Sequence, residues 1–156
     1  MYIQEKDKEF MEVAIKEAKK AYKIGEIPVG AVVVSNNKIV STGFNEREKK
    51  NNALAHAEIV AINSACRKLK SWRLLNSTIY VTLEPCIMCA GAIINSKIKR
   101  VVFGTRCDKN GLFSSFKFLD EFYIKEKIEI SFGVCEKECK ELLQKFFKTL
   151  RWIIKN

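Results

Sequence analysis

The sequence contains no run of roughly 18 consecutive apolar residues, the length that a membrane-spanning helix needs. Its start, MYIQEKDKEF, lacks the apolar core of a secretory signal. These absences argue against a membrane-embedded or exported chain, and the expectation is a soluble protein of the cytoplasm. Internal repeats, linkers and low-complexity tracts are also missing. With 156 residues, 47% of them apolar, residues 1–156 are expected to form one domain with a substantial core. Acidic residues are outnumbered, 18 against 28 basic, giving a formal charge of +10. Such an excess suits a polyanionic partner, but a lysine-rich solvated surface explains it equally well. Histidine is scarcest of all: His56 is the only one.

Cysteine, by contrast, is plentiful. Six thiols in a reducing cytosol point away from a disulfide framework and towards metal binding or catalysis, so their spacing matters.

The apolar pattern alternates between two periods. Phe10, Val13, Ala14, Ala18, Ala21 and Tyr22 recur at helical spacing and predict a first helix near residues 8 to 24, which GEIPVG ends. AVVVS and KIVSTGF flank Asn36 and Asn37, a turn signal, and predict a hairpin. A second helix is expected near residues 55 to 70, with Ile59, Ile62, Cys66 and Leu69 facing inward. STIYVTL, then a short helix over residues 86 to 96, then RVVFGT give a strand, helix, strand rhythm that favours parallel pairing. Residues 107 to 118 read as a loop and KIEISFGV as a fifth strand. Leu143, Phe146, Phe147, Leu150 and Ile154 mark a final helix. The pattern predicts a layered α/β domain whose sheet is covered on both faces.

Two motifs carry chemistry. In TLEPCIMCAGA, Pro85 suits the first turn of a helix, and Cys86 and Cys89 then lie three apart on one face of that turn. The positive end of the helix dipole favours their thiolates, the species that bind metal. Adding His56 from LAHAEIVAI gives two sulfurs and one nitrogen, a set that suits tetrahedral zinc with the fourth position left to water. A closed structural site would need a fourth residue, for which Cys66, Cys107, Cys135 and Cys139 are the candidates. Cys135 and Cys139 stand four apart, but no further histidine accompanies them to build a second site. Glu58, not needed as a ligand, is free for proton transfer beside a metal that lowers the pKa of water to roughly 7. Positions i and i+2 of a helix project about 200° apart, so His56 and Glu58 can share a site only at the helix end.

HAE at 56–58 and PCIMC at 85–89 match the H-x-E and P-C-x-x-C signature of the zinc nucleobase deaminases. IPVGAVVV, GFN, AHAEIVAI, YVTLEPCIMCAGA and RVVFG, in this order and spacing, resemble the bacterial tRNA-specific adenosine deaminases from about residue 8 to about residue 154. The resemblance implies a cytidine-deaminase-like fold, three layers (α/β/α) around a mixed five-stranded sheet, working as a homodimer with one zinc ion per subunit. It implies zinc ligation by His56, Cys86 and Cys89. It also implies hydrolytic deamination of adenosine to inosine at the wobble position of a tRNA anticodon loop, by zinc-activated hydroxide attack at C6 with Glu58 as proton shuttle. Asn45 and the backbone around Ala57 and Glu58 are expected to meet the target nucleotide. Glu84 and Pro85 are expected to shape the pocket, and an arginine tRNA with an A-C-G anticodon is the expected substrate. The last helix sets Lys145, Lys148 and Arg151 beside Phe146 and Phe147, a pattern that fits either an RNA backbone or ordinary packing.

The chain departs from the family at three places. Cys107 stands where an aspartate often follows the Arg106 position, with Asp108 one place later; NNAL replaces the usual Asp-Pro before HAE; and GLFSSF is unusually apolar. Two competing readings share these motifs: a deaminase of free guanine, cytosine or a nucleoside, and a non-catalytic RNA-binding domain stabilised by zinc. The charge and the M-C-A-G-A continuation weigh against the first, and Glu58, which a purely structural site would not need, weighs against the second.

Overall fold

The computed structural model describes residues 2–107 and 128–156. Helix α1 (Tyr2–Lys23) leads into a hairpin of β1 (Gly30–Ser35) and β2 (Lys38–Phe44), followed by α2 (Ala57–Leu69) and β3 (Ser77–Leu83). Then come α3 (Ile87–Asn95), β4 (Arg100–Thr105), β5 (Glu129–Phe132) and, last, α4 (Glu136–Lys155). The five strands form one mixed sheet in the order β2-β1-β3-β4-β5. β1 pairs antiparallel with both β2 and β3, while β4 pairs parallel with β3 and β5. The hairpin turns on Asn36 and Asn37, both at positive φ (50° and 59°), a conformation that asparagine tolerates better than most residues.

The central strands read as almost unbroken apolar runs because helices cover both of their faces. Val32, Val34, Tyr80 and Val102 point to one side, against Phe10, Met11, Ala14 and Ile15 of α1 and Cys139 of α4. Ala31, Val33, Ile79, Val81, Val101 and Phe103 point to the other, against α2 and α3. This alternation follows from the two-residue period of a strand.

Helix α2 differs in part from the sequence-based expectation of which face it buries. In α2 the buried residues are Ala57, Glu58, Ala61, Ile62 and Ala65; Cys66 is half-buried and Leu69 is exposed. The reason is the closeness of β2: a Cβ on Gly43 would lie 2.5 Å from the Ala57 carbonyl oxygen and 2.7 Å from the Ala61 nitrogen. So close an approach favours small side chains, and Ala57, Ala61 and Ala65 make up most of the inward stripe, with Ile62 buried among them as expected. In α4, Cys139 and Phe146 are buried, while Phe147, Leu150 and Ile154 are exposed. The first helix begins earlier than its apolar pattern suggests, at Tyr2. Most of the expected 107–118 loop lies outside the described residues.

Because β1 runs against β3, the start of β1 and the end of β2 lie at the same edge of the sheet as the ends of β3 and β4. Four connections therefore converge there: 24–29, 45–56, 84–86 and 106–107. The crevice outside the carboxyl ends of parallel strands is where ligands gather in such sheets.

Candidate active site

His56 and Cys86 hold equivalent positions at this edge. Each is the N-cap of its helix, with extended backbone (φ −72°, ψ 152° for His56; φ −73°, ψ 167° for Cys86). His56 therefore lies outside α2, and Glu58 lies in its first turn, so the two side chains reach one site without sharing a helical face. Cys86 likewise precedes α3, and Cys89 comes in the first turn of that helix. Pro85 stands before the cap rather than within the first turn, two places ahead of the first helical residue, Ile87.

The Nδ1 atom of His56 lies 3.5 Å from the sulfur of Cys86 and 3.5 Å from that of Cys89. A tetrahedral zinc, with bonds of about 2.3 Å to sulfur and about 2.0–2.1 Å to nitrogen, sets sulfur and nitrogen about 3.6 Å apart. The three ligand atoms thus already stand at the spacing of tetrahedron corners, and they fit the metal. Among the described residues they form the one group of three metal-ligating side chains whose donor atoms lie within 4.8 Å of one another. Cys107 is close by but outside that group; Cys66 faces the Trp72 carbonyl, and Cys139 packs against Gly104 behind the sheet. No described residue supplies a fourth protein ligand.

The electrostatics suit the same purpose. Hydrogen bonding from Cys89, helped by His56, pulls the Cys86 thiol down to about 4 despite its partial burial. Cys89 moves the opposite way, raised by the Cys86 thiolate and by burial. The pair therefore holds one proton, which a divalent cation would release on binding. His56 is raised, chiefly by its bond to Cys86. Glu58 is 4% exposed, and burial pushes its carboxyl up to about 7 against the opposing pull of the helix amide and His56.

A cavity of about 190 Å³, on the scale of one nucleobase, opens beside these groups. His56, Glu58 and Cys86 line it, as do the expected contacts Asn45, Ala57 and Glu84. Pro85 is buried nearby and does not line it. The Asn45 amide is shared with the scaffold: its Nδ2 donates to the Ile27 carbonyl (3.3 Å) and its Oδ1 accepts from the Arg47 N–H (3.2 Å). One Nδ2 hydrogen and one Oδ1 lone pair are left over from those two bonds. Glu84 accepts the Cys107 N–H at 3.1 Å, which fixes the start of the segment after β4 against the cavity. Arg47, Ile27, Val29 and Leu83 complete much of the wall and were not singled out from the sequence. Ile27 and Val29 lie within IPVGAVVV and Leu83 within YVTLEPCIMCAGA, where no chemistry-bearing residue type marks them, and Arg47 lies in none of the motifs. Their signal was their position at strand ends and in the connections beside HAE and PCIMC.

The model of the cytidine and deoxycytidylate deaminase zinc-binding region matches residues 4–105. The chain is 45% identical to the tRNA-specific adenosine deaminase of Bacillus subtilis, over 93% of this chain and 91% of the relative. It is 44% identical to the enzyme of the same name from Haemophilus influenzae, over 93% and 85%. A solved structure from a study of A-to-I editing by tRNA deaminases at the wobble position of transfer RNA superposes with a TM-score of 0.82 at 37% identity, covering 86% of this chain and 99% of that one. With a zinc-binding fold model over most of its length and relatives this similar from end to end, the chain belongs to the tRNA-specific adenosine deaminases of the cytidine and deoxycytidylate deaminase family.

Proposed function

We infer that this chain converts adenosine to inosine at the wobble position of a tRNA anticodon loop, with release of ammonia. The observation that carries the reading is the meeting of three zinc-ligating atoms with one buried carboxylate, Glu58, in the wall of a nucleobase-sized cavity. The likeness to enzymes named for that reaction supports the choice of substrate.

His56, Cys86 and Cys89 would hold the zinc, which when bound supplies the Lewis acidity that makes water a nucleophile near neutral pH. Glu58 takes the proton that the water gives up on attacking C6 of adenine. The buried carboxyl returns that proton to the ring nitrogen, then takes the second proton from the hydroxyl now on C6 and delivers it to the amine, which leaves as ammonia. Asn45 keeps the hydrogen-bonding capacity to read the nucleotide, and Ala57 and Glu84 shape the wall around the base. The adenosine leaves its loop to enter the cavity, which an unpaired anticodon base can do at little expense. An arginine tRNA carrying A-C-G is the substrate we assign, with the enzyme acting in the cytoplasm as a homodimer.

Mass spectrometry of nucleosides after incubation with an A-C-G anticodon stem-loop is expected to reveal inosine in place of the wobble adenosine. Free guanine, cytosine and adenosine are expected to stay unchanged. Deamination of a free base with no inosine in the RNA would overturn the assignment.

A further inference from the structure

Among the described residues, Arg47 is the one permanent cation in the wall of the catalytic cavity, which otherwise offers Glu58, Glu84, His56 and neutral groups. Its place is fixed by the backbone on both sides. Its N–H donates to Asn45 Oδ1 at 3.2 Å, and its carbonyl accepts the Asn52 N–H at 3.0 Å. Two residues on, the Lys49 N–H donates to the buried Glu26 carboxylate at 2.7 Å, which ties the same loop to the α1–β1 connection. Beyond this anchored backbone the Arg47 side chain is 46% exposed, and its guanidinium meets the carboxylate of Glu48, a side chain 75% exposed, at 3.2 Å. An exposed pair of neighbours contributes little, so the guanidinium can exchange that partner for another anion without much loss.

A nucleotide whose base fills the cavity leaves its flanking phosphates at the mouth. The cavity shares Ile27, Leu83 and Cys107 with a wider groove whose wall carries Arg106, Lys140, Lys145, Lys148 and Arg151. Arg47, on the loop between β2 and α2, lines the same cavity with a side chain that is half exposed, within reach of a phosphate at the mouth. We propose that Arg47 contacts a backbone phosphate at the mouth of the cavity and so makes the site selective for a base within a polynucleotide over a free base. The assignment rests on the tRNA reading above. Guanidinium suits this role because its planar fork matches two phosphate oxygens and stays charged at any working pH.

Fluorescence anisotropy of a labelled anticodon stem-loop, titrated at several salt concentrations between about 50 and 200 mM, tests this. For Arg47→Ala, the slope of log affinity against log salt is expected to become shallower by about 0.7, the share of one phosphate on a single strand. Glu48→Ala, which frees the guanidinium, is expected to keep the wild-type slope and bind no more weakly. An unchanged slope in Arg47→Ala, with its zinc content and melting temperature at wild-type values, would overturn the proposal. So would matching losses in both variants, which would mark the pair as structural. Inosine formation is followed on the same samples: wild-type protein that binds the RNA with the expected slope but forms no inosine sinks the functional reading and leaves the Arg47 contact standing.

Discussion

His56 and Glu58 stand two positions apart in sequence, and only the helix boundary between His56 and Ala57 lets both reach one site. That boundary separates their roles, because the cap residue presents a nitrogen while the first-turn carboxylate is buried beside it. Glu58→Gln keeps the shape and removes the titration. It is expected to lower inosine formation by about 100-fold to 10,000-fold, the usual worth of a positioned acid–base group, while zinc content measured by mass spectrometry stays at one per chain. Cys89→Ala is expected to act on the metal instead. Its loss leaves two ligands, so zinc content falls along with activity, and added zinc does not restore either to wild-type levels. These side chains were legible in the sequence because metal and proton chemistry demand particular residue types at short, fixed spacings. Arg47 was not, because a lone arginine in a polar loop carries no such requirement, and only the folded loop brings it to the cavity wall.

Among the elements, α1 and α2 show how packing sets the frame on which the site rests. α2 lies so close to β2 that Gly43→Ala forces a methyl group into the backbone of the helix that carries Glu58. Overpacking of this kind is expected to destabilise the fold by about 1–3 kcal/mol, read as a lower urea midpoint at unchanged slope. The alanine stripe that permits this approach was the part of α2 hardest to foresee. Hydrophobic periodicity points to the largest apolar residues, of which Ile62 is buried, whereas three alanines make up most of the face turned to the sheet. At the opposite edge, α1 is tied down by Asp7, whose carboxylate receives both terminal nitrogens of Arg100 at 2.7 and 2.8 Å and the Tyr80 hydroxyl at 2.8 Å. Burial alone would raise the Asp7 carboxyl, but the bonds from Arg100 and Tyr80 outweigh it and hold it below the ordinary 3.8. A carboxyl lowered in the folded state binds its proton more weakly there than in the unfolded chain. Its contribution is therefore complete above about pH 4 and declines as pH falls through the folded value. Asp7→Asn is expected to lose about 3 kcal/mol at pH 7, and its deficit relative to wild type in urea unfolding should shrink as the pH is lowered below 4. An equal deficit at both pH values would show that packing, not charge, holds the helix.

Across the whole molecule, no described helix is long and apolar enough to cross a membrane, and the charge of +10 is unevenly spread. In α4 every acidic residue lies at or before Glu141, and Lys145, Lys148, Arg151 and Lys155 follow. Four of the five cations in the groove wall come from this helix, beside the catalytic cavity. Leu54, Trp72 and Leu75, which flank α2 in the chain, and Ile87, the first residue of α3, are apolar and more than half exposed. Sedimentation analysis is expected to give about twice the 17.9 kDa chain mass. The layered α/β class was readable from the alternation of periods, since strands read as unbroken apolar runs only when covered on both faces. The convergence of four connections at one edge was not readable. It depends on β1 lying between β2 and β3, and strand order is fixed by long-range pairing rather than local pattern. The central claim is that Glu58 and the His56, Cys86 and Cys89 cluster together deaminate a wobble adenosine. Nucleoside mass spectrometry on the A-C-G stem-loop tests it most directly, with wild-type, Glu58→Ala and zinc-stripped protein compared side by side. Inosine from the wild type alone, restored to the stripped protein by zinc, is the predicted result; inosine from Glu58→Ala at the wild-type rate, or none from folded, zinc-loaded wild type, would contradict it.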